Sequence, residues 1–259
     1  MATFLFDKII FGPVISRRLG VSLGINLLPA DSKICSFDCI YCECGRNPRG
    51  GENRGKMPDR EDVALRLEET LRKMEEEKRL PDVITFAGNG EPTLHPHFAG
   101  IIGDTLRLRD LYAPQARIAV LSNATMLHKK EVFDALLKVD DNIQKLDSAF
   151  EETIRTLDCP TGKFSLPEVV QQLTAFAGRV TIQTMFIRGS HKGKNIDNTT
   201  PEEVEAWLGL LKIIRPSMVM IYTIARDTPV DTLEKVPARQ LERIARQAEA
   251  SGFRVQVSG

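Results

Sequence analysis

Four of the five cysteines of this 259-residue chain fall between Cys35 and Cys44, in the stretch "CSFDCIYCEC". Cys35, Cys39 and Cys42 follow a C-x3-C-x2-C spacing, and Cys44 stands two positions beyond. A secreted disulfide scaffold is usually shorter and spreads its cysteines, so a reducing compartment with thiolates kept for metal fits better. Zinc usually takes four ligands as two spaced pairs. Here a second pair is missing, and His95, His97, His128 and His191 lie far off in sequence. Cys44 could complete four thiolates, but two ligands separated by one residue would strain a tetrahedron. Three thiolates on a short loop suit a [4Fe–4S] cluster whose fourth iron is left for an exogenous chelating ligand. The spacing favours the cluster and leaves zinc or a redox thiol as alternatives.

The elements that must hold this loop are read from periodicity. "VSLGINLLP" (Val21–Pro29) is a strand just before the cysteines. "GRNPRGGENRGKMPDR" follows them as an exposed loop. Val63, Leu67, Leu71 and Met74 recur at helical spacing between Asp59 and about Lys78. Strands are then expected at Asp82–Gly88, Ala116–Asn123, Asn142–Asp147, Arg179–Gly189 and Ser217–Ile224, with helices between them. Ser165-x-x-Glu168 and Thr200-Pro201-Glu202-Glu203 read as capping boxes. Pro237–Ser251 is a helix and "FRVQVSG" a last short strand. Strand–helix alternation predicts an α/β fold, a partial (β/α)6-type open barrel of parallel strands. One domain spans 1–259, with a core of about 20–226 and a C-terminal helix and strand over 237–257. In such folds the loops after the strands converge, so the cysteine loop, "GNGEP" and "SNAT" should meet.

Composition bounds the function. Lys+Arg and Asp+Glu both number 35, giving zero formal net charge, so no global attraction to nucleic acid or anionic membrane is implied. No apolar run approaches the ~20 residues of a membrane span. The start, "MATFLFDKIIFGP", lacks the pattern of a signal peptide, and a cytoplasmic location is expected. Arg17 and Arg18 suit phosphate or a salt bridge. Arg46, Arg49, Arg54 and Lys56 could touch RNA phosphate, but Glu43 and Glu52 dilute them and no aromatic is interleaved, which favours a solvated loop. "GSHKGKN" (Gly189–Asn195) reads as a substrate-side loop or exposed linker. His95 and His97 read as polar residues at a helix start.

Cys35, Cys39, Tyr41 and Cys42 together resemble the signature of the radical S-adenosylmethionine (radical SAM) superfamily. "GNGEPTLHP" (Gly88–Pro96) resembles its Gly-Gly-Glu motif, and "LSNAT" (Leu121–Thr125) its post-strand Ser/Thr-Asn segment. The resemblance implies that Cys35, Cys39 and Cys42 hold a [4Fe–4S] cluster. The amino and carboxylate groups of S-adenosyl-L-methionine (SAM) would chelate the fourth iron. Reductive cleavage would then give a 5′-deoxyadenosyl radical that takes hydrogen from substrate. It assigns Gly88, Asn89, Gly90 and Glu91 to the methionine end of SAM. Ser122 and Asn123 fall to its carboxylate or ribose, and Tyr41 and Tyr222 to the adenine side. Asn89 replaces a usual glycine, which a residue that visits left-handed backbone tolerates. Asp147 would end a strand facing the site, and Cys159 in "LDCP" is a candidate hydrogen donor beside its reading as an inert thiol. A flavodoxin or ferredoxin reductant is implied, and a monomer is expected.

More narrowly, the chain looks like an iron–sulfur oxidoreductase group related to the wyosine-forming tRNA enzymes. Those carry a second cluster on three cysteines ahead of the SAM triad, and here no cysteine precedes Cys35. The substrate is left as RNA (a tRNA base), a protein (glycyl-radical activation) or a small molecule. A cluster-carrying electron-transfer protein is the alternative outside enzymes.

Overall fold

In a computed structural model of the chain, the described residues are 4–16, 19–48, 55–226 and 228–258. Arg17, Arg18, Arg49, Glu52 and Arg54 fall outside them. The main sheet runs β1 (Ile10–Ser16), β2 (Gly20–Ile25), β3 (Val83–Phe86), β4 (Arg117–Ser122), β5 (Asp141–Lys145), β6 (Thr181–Met185), then β9 (Met218–Tyr222) and β11 (Val255–Ser258). Every neighbouring pair is parallel except β1 with β2. Spatial order follows chain order without reversal, so the sheet winds one way as a barrel does, and β1 and β11 remain unjoined edges. This is the open, partial barrel expected from the alternation. β1, the antiparallel edge strand, is an addition.

Strand alternation sorts the side chains. Leu23, Ile25, Ile84, Phe86, Ile118, Val120, Ile182, Val219 and Ile221 belong to the main hydrophobic cluster together with the helices. Their alternates Ser22, Gly24, Thr85, Leu121, Ile143, Gln183, Met185, Met220 and Tyr222 line the barrel interior. α1 (Arg60–Glu76) buries Val63, Leu67, Leu71 and Met74 on one stripe, the face its spacing predicts. Fully burying one such side chain stabilises by ~1.5–3 kcal/mol.

Ser165 and Thr200 are N-caps, accepting from the N–H of Glu168 at 3.4 Å and Glu203 at 3.3 Å. They open α5 (Leu166–Ala175) and α6 (Pro201–Ile214). The Glu203 carboxylate instead accepts from Ser148 Oγ and Thr153 Oγ1, both at 2.6 Å. It therefore ties α6 to the turn after β5 and to α4 (Glu151–Leu157), a helix not expected from the sequence.

One strand expectation is corrected. Arg179–Gly189 is not a single strand: β6 ends at Met185 and β7 (Ile187–His191) begins after Phe186. The Phe186 N–H turns to the Tyr222 carbonyl at 2.8 Å and the Ile187 N–H to Asn198 Oδ1 at 2.8 Å. β7 leaves the barrel for a three-stranded antiparallel sheet with β8 (Lys194–Asp197) and β10 (Leu233–Lys235). "GSHKGKN" is therefore the β7–β8 hairpin, made of two strands and a tight turn.

Candidate active site

The cysteine loop is clamped from two sides. On one, the Ile34 N–H donates to Asn89 O and the Ile34 carbonyl accepts from Glu91 N, both at 3.0 Å. On the other, the N–H groups of Asp38 and Ile40 donate to the carbonyls of Asp158 and Leu157, both at 2.9 Å. Backbone pairing of this kind fixes where Cys35 and Cys39 stand. The close approach explains Gly90: a Cβ there would lie 1.9 Å from the Ile34 carbonyl oxygen, at φ +138°.

The loops after β2, β3 and β4 do meet. Asn123 N–H donates to Glu91 Oε2 at 2.7 Å, and its Nδ2 donates to Ser36 Oγ at 2.9 Å and to Cys35 Sγ at 3.5 Å. The Phe37 N–H also donates to Cys35 Sγ, at 3.4 Å. Ser122 Oγ accepts from the Ala124 N–H at 3.1 Å, bracing the turn.

Lys33 is buried beneath the loop. Its Nζ donates to Gly45 O at 2.9 Å, closing the loop, and lies 3.5 Å from Asp38 Oδ1. Burial disfavours its charge, but the surrounding Cys42, Cys35 and Cys39 side chains and Asp38 outweigh burial and raise its pKa. The hydrogen bond from Cys44, with help from Lys33 against burial, pulls Cys42 down to about 5. Burial pushes Cys35 up to about 12 and raises Cys39 well above the ordinary thiol range. All five cysteines are free.

Among the described residues, no three His, Cys, Asp or Glu side chains gather as they would around a single metal ion. A cluster binds each thiolate through a different iron. The donor set fits one: three thiols around one buried cation, with N–H groups aimed at Cys35.

The glycine-loop carboxylate is buried and already accepts hydrogen bonds within the protein. Glu91 is 2% exposed. Its Oε1 accepts from Thr93 N at 3.1 Å and Thr93 Oγ1 at 2.5 Å, while Oε2 takes Asn123 N. Burial raises its pKa against these hydrogen bonds. The rationale for Asn89 also changes. Gly88 and Gly90 have positive φ, but Asn89 is not among the positive-φ residues. Its amide accepts from Phe6 N at 2.8 Å and donates to Phe6 O at 2.8 Å and Pro29 O at 2.7 Å. It pins the N-terminal segment across the barrel mouth.

Asp147 is buried two residues past β5 and is not among the cavity-lining residues; it lies within a cluster that sequence reasoning missed. Lys145 Nζ lies 2.8 Å from Asp147 Oδ2, 3.7 Å from Asp158 Oδ1 and 4.8 Å from the Tyr41 ring centroid. The Tyr41 hydroxyl contacts Lys145 Nζ, Asp147 and Asp158. Asp158 Oδ1 in turn accepts from Cys39 Sγ at 3.3 Å. Burial and then the Asp147 charge push Asp158 up to about 7. For Lys145 burial opposes the charge, yet Asp147 and its neighbours hold the pKa well above the ordinary lysine value. Cys159 stands behind the loop with its thiol on Thr156 O at 3.4 Å, outside the cavity wall. The signals available were chemical: several thiolates call for a buried cation, and Lys33 adjoins them; Asp158 adjoins the cysteine of "LDCP".

A cavity of about 820 Å³ fills the barrel interior and is bounded at its rim by Tyr41, Cys42 and Tyr222. That volume is in the range of small-molecule and cofactor sites. Residues 31–189, more than half of the chain, match the family model described as the radical SAM superfamily. The chain belongs to the radical SAM superfamily. It is an enzyme of that superfamily, whose members use SAM and an iron–sulfur cluster.

The chain is 33% identical over 222 residues to the UPF0026 protein MJ1312 of Methanocaldococcus jannaschii, covering 84% of this chain and 64% of that one. It is 27% identical over 248 residues to a protein named GTPase Obg from Brachyspira hyodysenteriae, covering 94% of this chain and 34% of that one. The chain thus spans between about a third and just under two thirds of the length of these relatives. Among solved structures, it shares its fold with a radical SAM methyltransferase from Sphaerobacter thermophilus (TM-score 0.64, 16% identity, 92% of this chain and 65% of that one). It also shares it with TYW1 bearing a lysine–pyruvate adduct (TM-score 0.59, 15% identity, 88% and 73%). No helix among the described residues is long and apolar enough to cross a membrane.

Proposed function

We propose that Cys35, Cys39 and Cys42 hold a [4Fe–4S] cluster, and that this chain uses it to cleave SAM reductively and take hydrogen from a substrate bound in the barrel. The observation that carries the reading is that Cys42 opens onto the same 820 Å³ cavity as Tyr41, Tyr222 and the inward face of the strands. An electron carrier has no use for such a chamber beside its cluster. When bound, the cluster supplies one electron to the sulfonium of SAM, giving methionine and a 5′-deoxyadenosyl radical.

The residues' own tasks follow from their bonds. Lys33 offsets thiolate charge beneath the loop. Asn123 Nδ2 and the Phe37 N–H direct hydrogen bonds to Cys35 Sγ. Glu91 holds the β3 and β4 loops in register, so that Gly88 and Gly90 leave backbone open to SAM. Tyr222 and Tyr41 line the cavity toward the adenine. Phe4, Phe6 and Phe11 help exclude water from the mouth.

A base of tRNA is the substrate we favour, supported by the fold held in common with TYW1 and by the likeness to wyosine-related sequences. A flavodoxin or ferredoxin would supply the electron, in a cytoplasmic setting.

The test is anaerobic reconstitution, reduction with dithionite and addition of SAM, scored by 5′-deoxyadenosine. Cys35→Ala, Cys39→Ala and Cys42→Ala should each lose iron and product, and Cys44→Ala should keep both. No 5′-deoxyadenosine from a fully loaded sample would sink the reading.

A further inference from the structure

The barrel interior is apolar apart from a few groups, and one of them has no partner. Gln183, on β6, is 8% exposed and lines the cavity. Its Nε2 is buried and makes no hydrogen bond within the protein. An unmet buried amide costs ~1–3 kcal/mol. Gln183 precedes the rim residue Met185 by two positions on the same strand, so it sits roughly 7 Å deeper, at ~3.3 Å per residue.

On another part of the wall, Ser22 Oγ and Thr85 Oγ1 are hydrogen-bonded to each other at 2.8 Å. Two hydroxyls joined by one hydrogen bond keep a spare O–H and spare lone pairs. Both line the same cavity. β4 and β5 separate the strand of Thr85 from that of Gln183. A ligand between them would meet the Gln183 side chain on one side, whose amide must rotate to present Nε2, and hydroxyls on the other.

Charge narrows the class. The Asp, Glu, Lys and Arg side chains on the described cavity wall are Glu43 and Arg226. They pair with each other at 2.7 Å, with side chains 42% and 67% exposed. Nothing deeper compensates an ionised ligand group, whose desolvation would be costly.

We infer that Gln183 is a specificity-determining residue that reads an uncharged, amide-bearing planar group of the substrate, such as a carboxamide or the edge of a nucleobase. The inference rests on the proposed SAM reading for why a substrate enters this barrel. It deepens that reading by naming what the floor accepts.

Equilibrium dialysis of the reconstituted protein tests it with labelled nicotinamide and its isosteric anion nicotinate as probes. Nicotinamide should bind saturably, nicotinate at least tenfold more weakly, and Gln183→Leu should weaken nicotinamide at least tenfold. Urea unfolding of Gln183→Leu should show an unchanged or raised midpoint, because no internal hydrogen bond is lost. Nicotinamide binding should persist in saturating SAM. The inference is overturned by no saturable binding, by nicotinate binding as well as nicotinamide, or by undiminished binding in Gln183→Leu. A lowered urea midpoint overturns it by revealing an internal partner, and displacement by SAM assigns Gln183 to the cofactor's adenine instead. None of these readouts needs SAM cleavage, so they fail or stand separately from 5′-deoxyadenosine formation.

Discussion

The main-chain N–H of Asn123 donates to Glu91 Oε2 at 2.7 Å, so the loop after β4 hangs from the loop after β3 through one buried carboxylate. The groups that Glu91 meets here are donors: Asn123 N, Thr93 N, Thr93 Oγ1 and the Ser122 hydroxyl. Glu91→Gln would turn an NH₂ toward one of them and leave a buried donor unmet, at a cost of ~1–3 kcal/mol. The melting temperature should fall by ~2–4 °C for each kcal/mol lost. An unchanged melting temperature in Glu91→Gln would show that the carboxylate is not holding these loops.

Asn89→Gly restores the glycine usual in the family motif, yet it should destabilise this protein. It removes three amide hydrogen bonds to Phe6 and Pro29, each contributing ~0.5–1.5 kcal/mol net. It relieves no left-handed strain, since φ at Asn89 is not positive. Hydrogen exchange should speed up at Phe6 and through β1, while α5 and α6 keep their protection. Uniform exchange across the chain would contradict the pinning role.

What the sequence made legible follows from which forces are local. The N-caps at Ser165 and Thr200, the α1 stripe and the order of parallel strands each depend on residues close in the chain, and all can be read there. The meeting of "GNGEP", "SNAT" and the cysteine loop followed from topology alone. The buried cations did not show. Lys33 and Lys145 look like solvent residues, because the partners that hold them, Gly45 O, Asp158 and Tyr41, are supplied by folding. The break at Phe186 was hidden for the same reason: "TMFIRG" keeps strand character throughout, and only the pull of Tyr222 O and Asn198 divides it.

His95 sets a pH dependence. Its Nδ1 accepts from the His97 N–H at 3.1 Å and its Nε2 faces Pro58 O at 2.9 Å, so the neutral ring with a proton on Nε2 satisfies both. Burial, with the His97 charge, lowers its pKa against the Pro58 hydrogen bond and Asp59. A depressed histidine pKa means that the unfolded chain takes up the proton first as pH falls. Stability is therefore fully present above the ordinary value of 6.5 and declines below it, toward the folded pKa. The urea midpoint should drop between pH 7.5 and 5.5, and His95→Gln should flatten that part of the drop. Parallel curves for parent and variant would remove His95 as the cause.

Lys145 supplies the strongest stability prediction. Its ammonium stands between Asp147 and Asp158, whose side chains are 0% and 1% exposed. Lys145→Met keeps most of the stem but leaves the two carboxylates facing each other without a cation, and removing one partner of a buried pair costs ~3–5 kcal/mol. Adding Asp147→Asn should recover part of that loss, because it removes the like-charge repulsion the first change exposed. Coupling of directly contacting residues runs ~0.5–3 kcal/mol. A double-mutant cycle by urea unfolding measures it. Strictly additive losses would mean that the ammonium and Asp147 do not sense each other. A Lys145→Met protein as stable as the parent would mean that the cluster is wet, and that Tyr41 and Asp158 hold Cys39 in place without it.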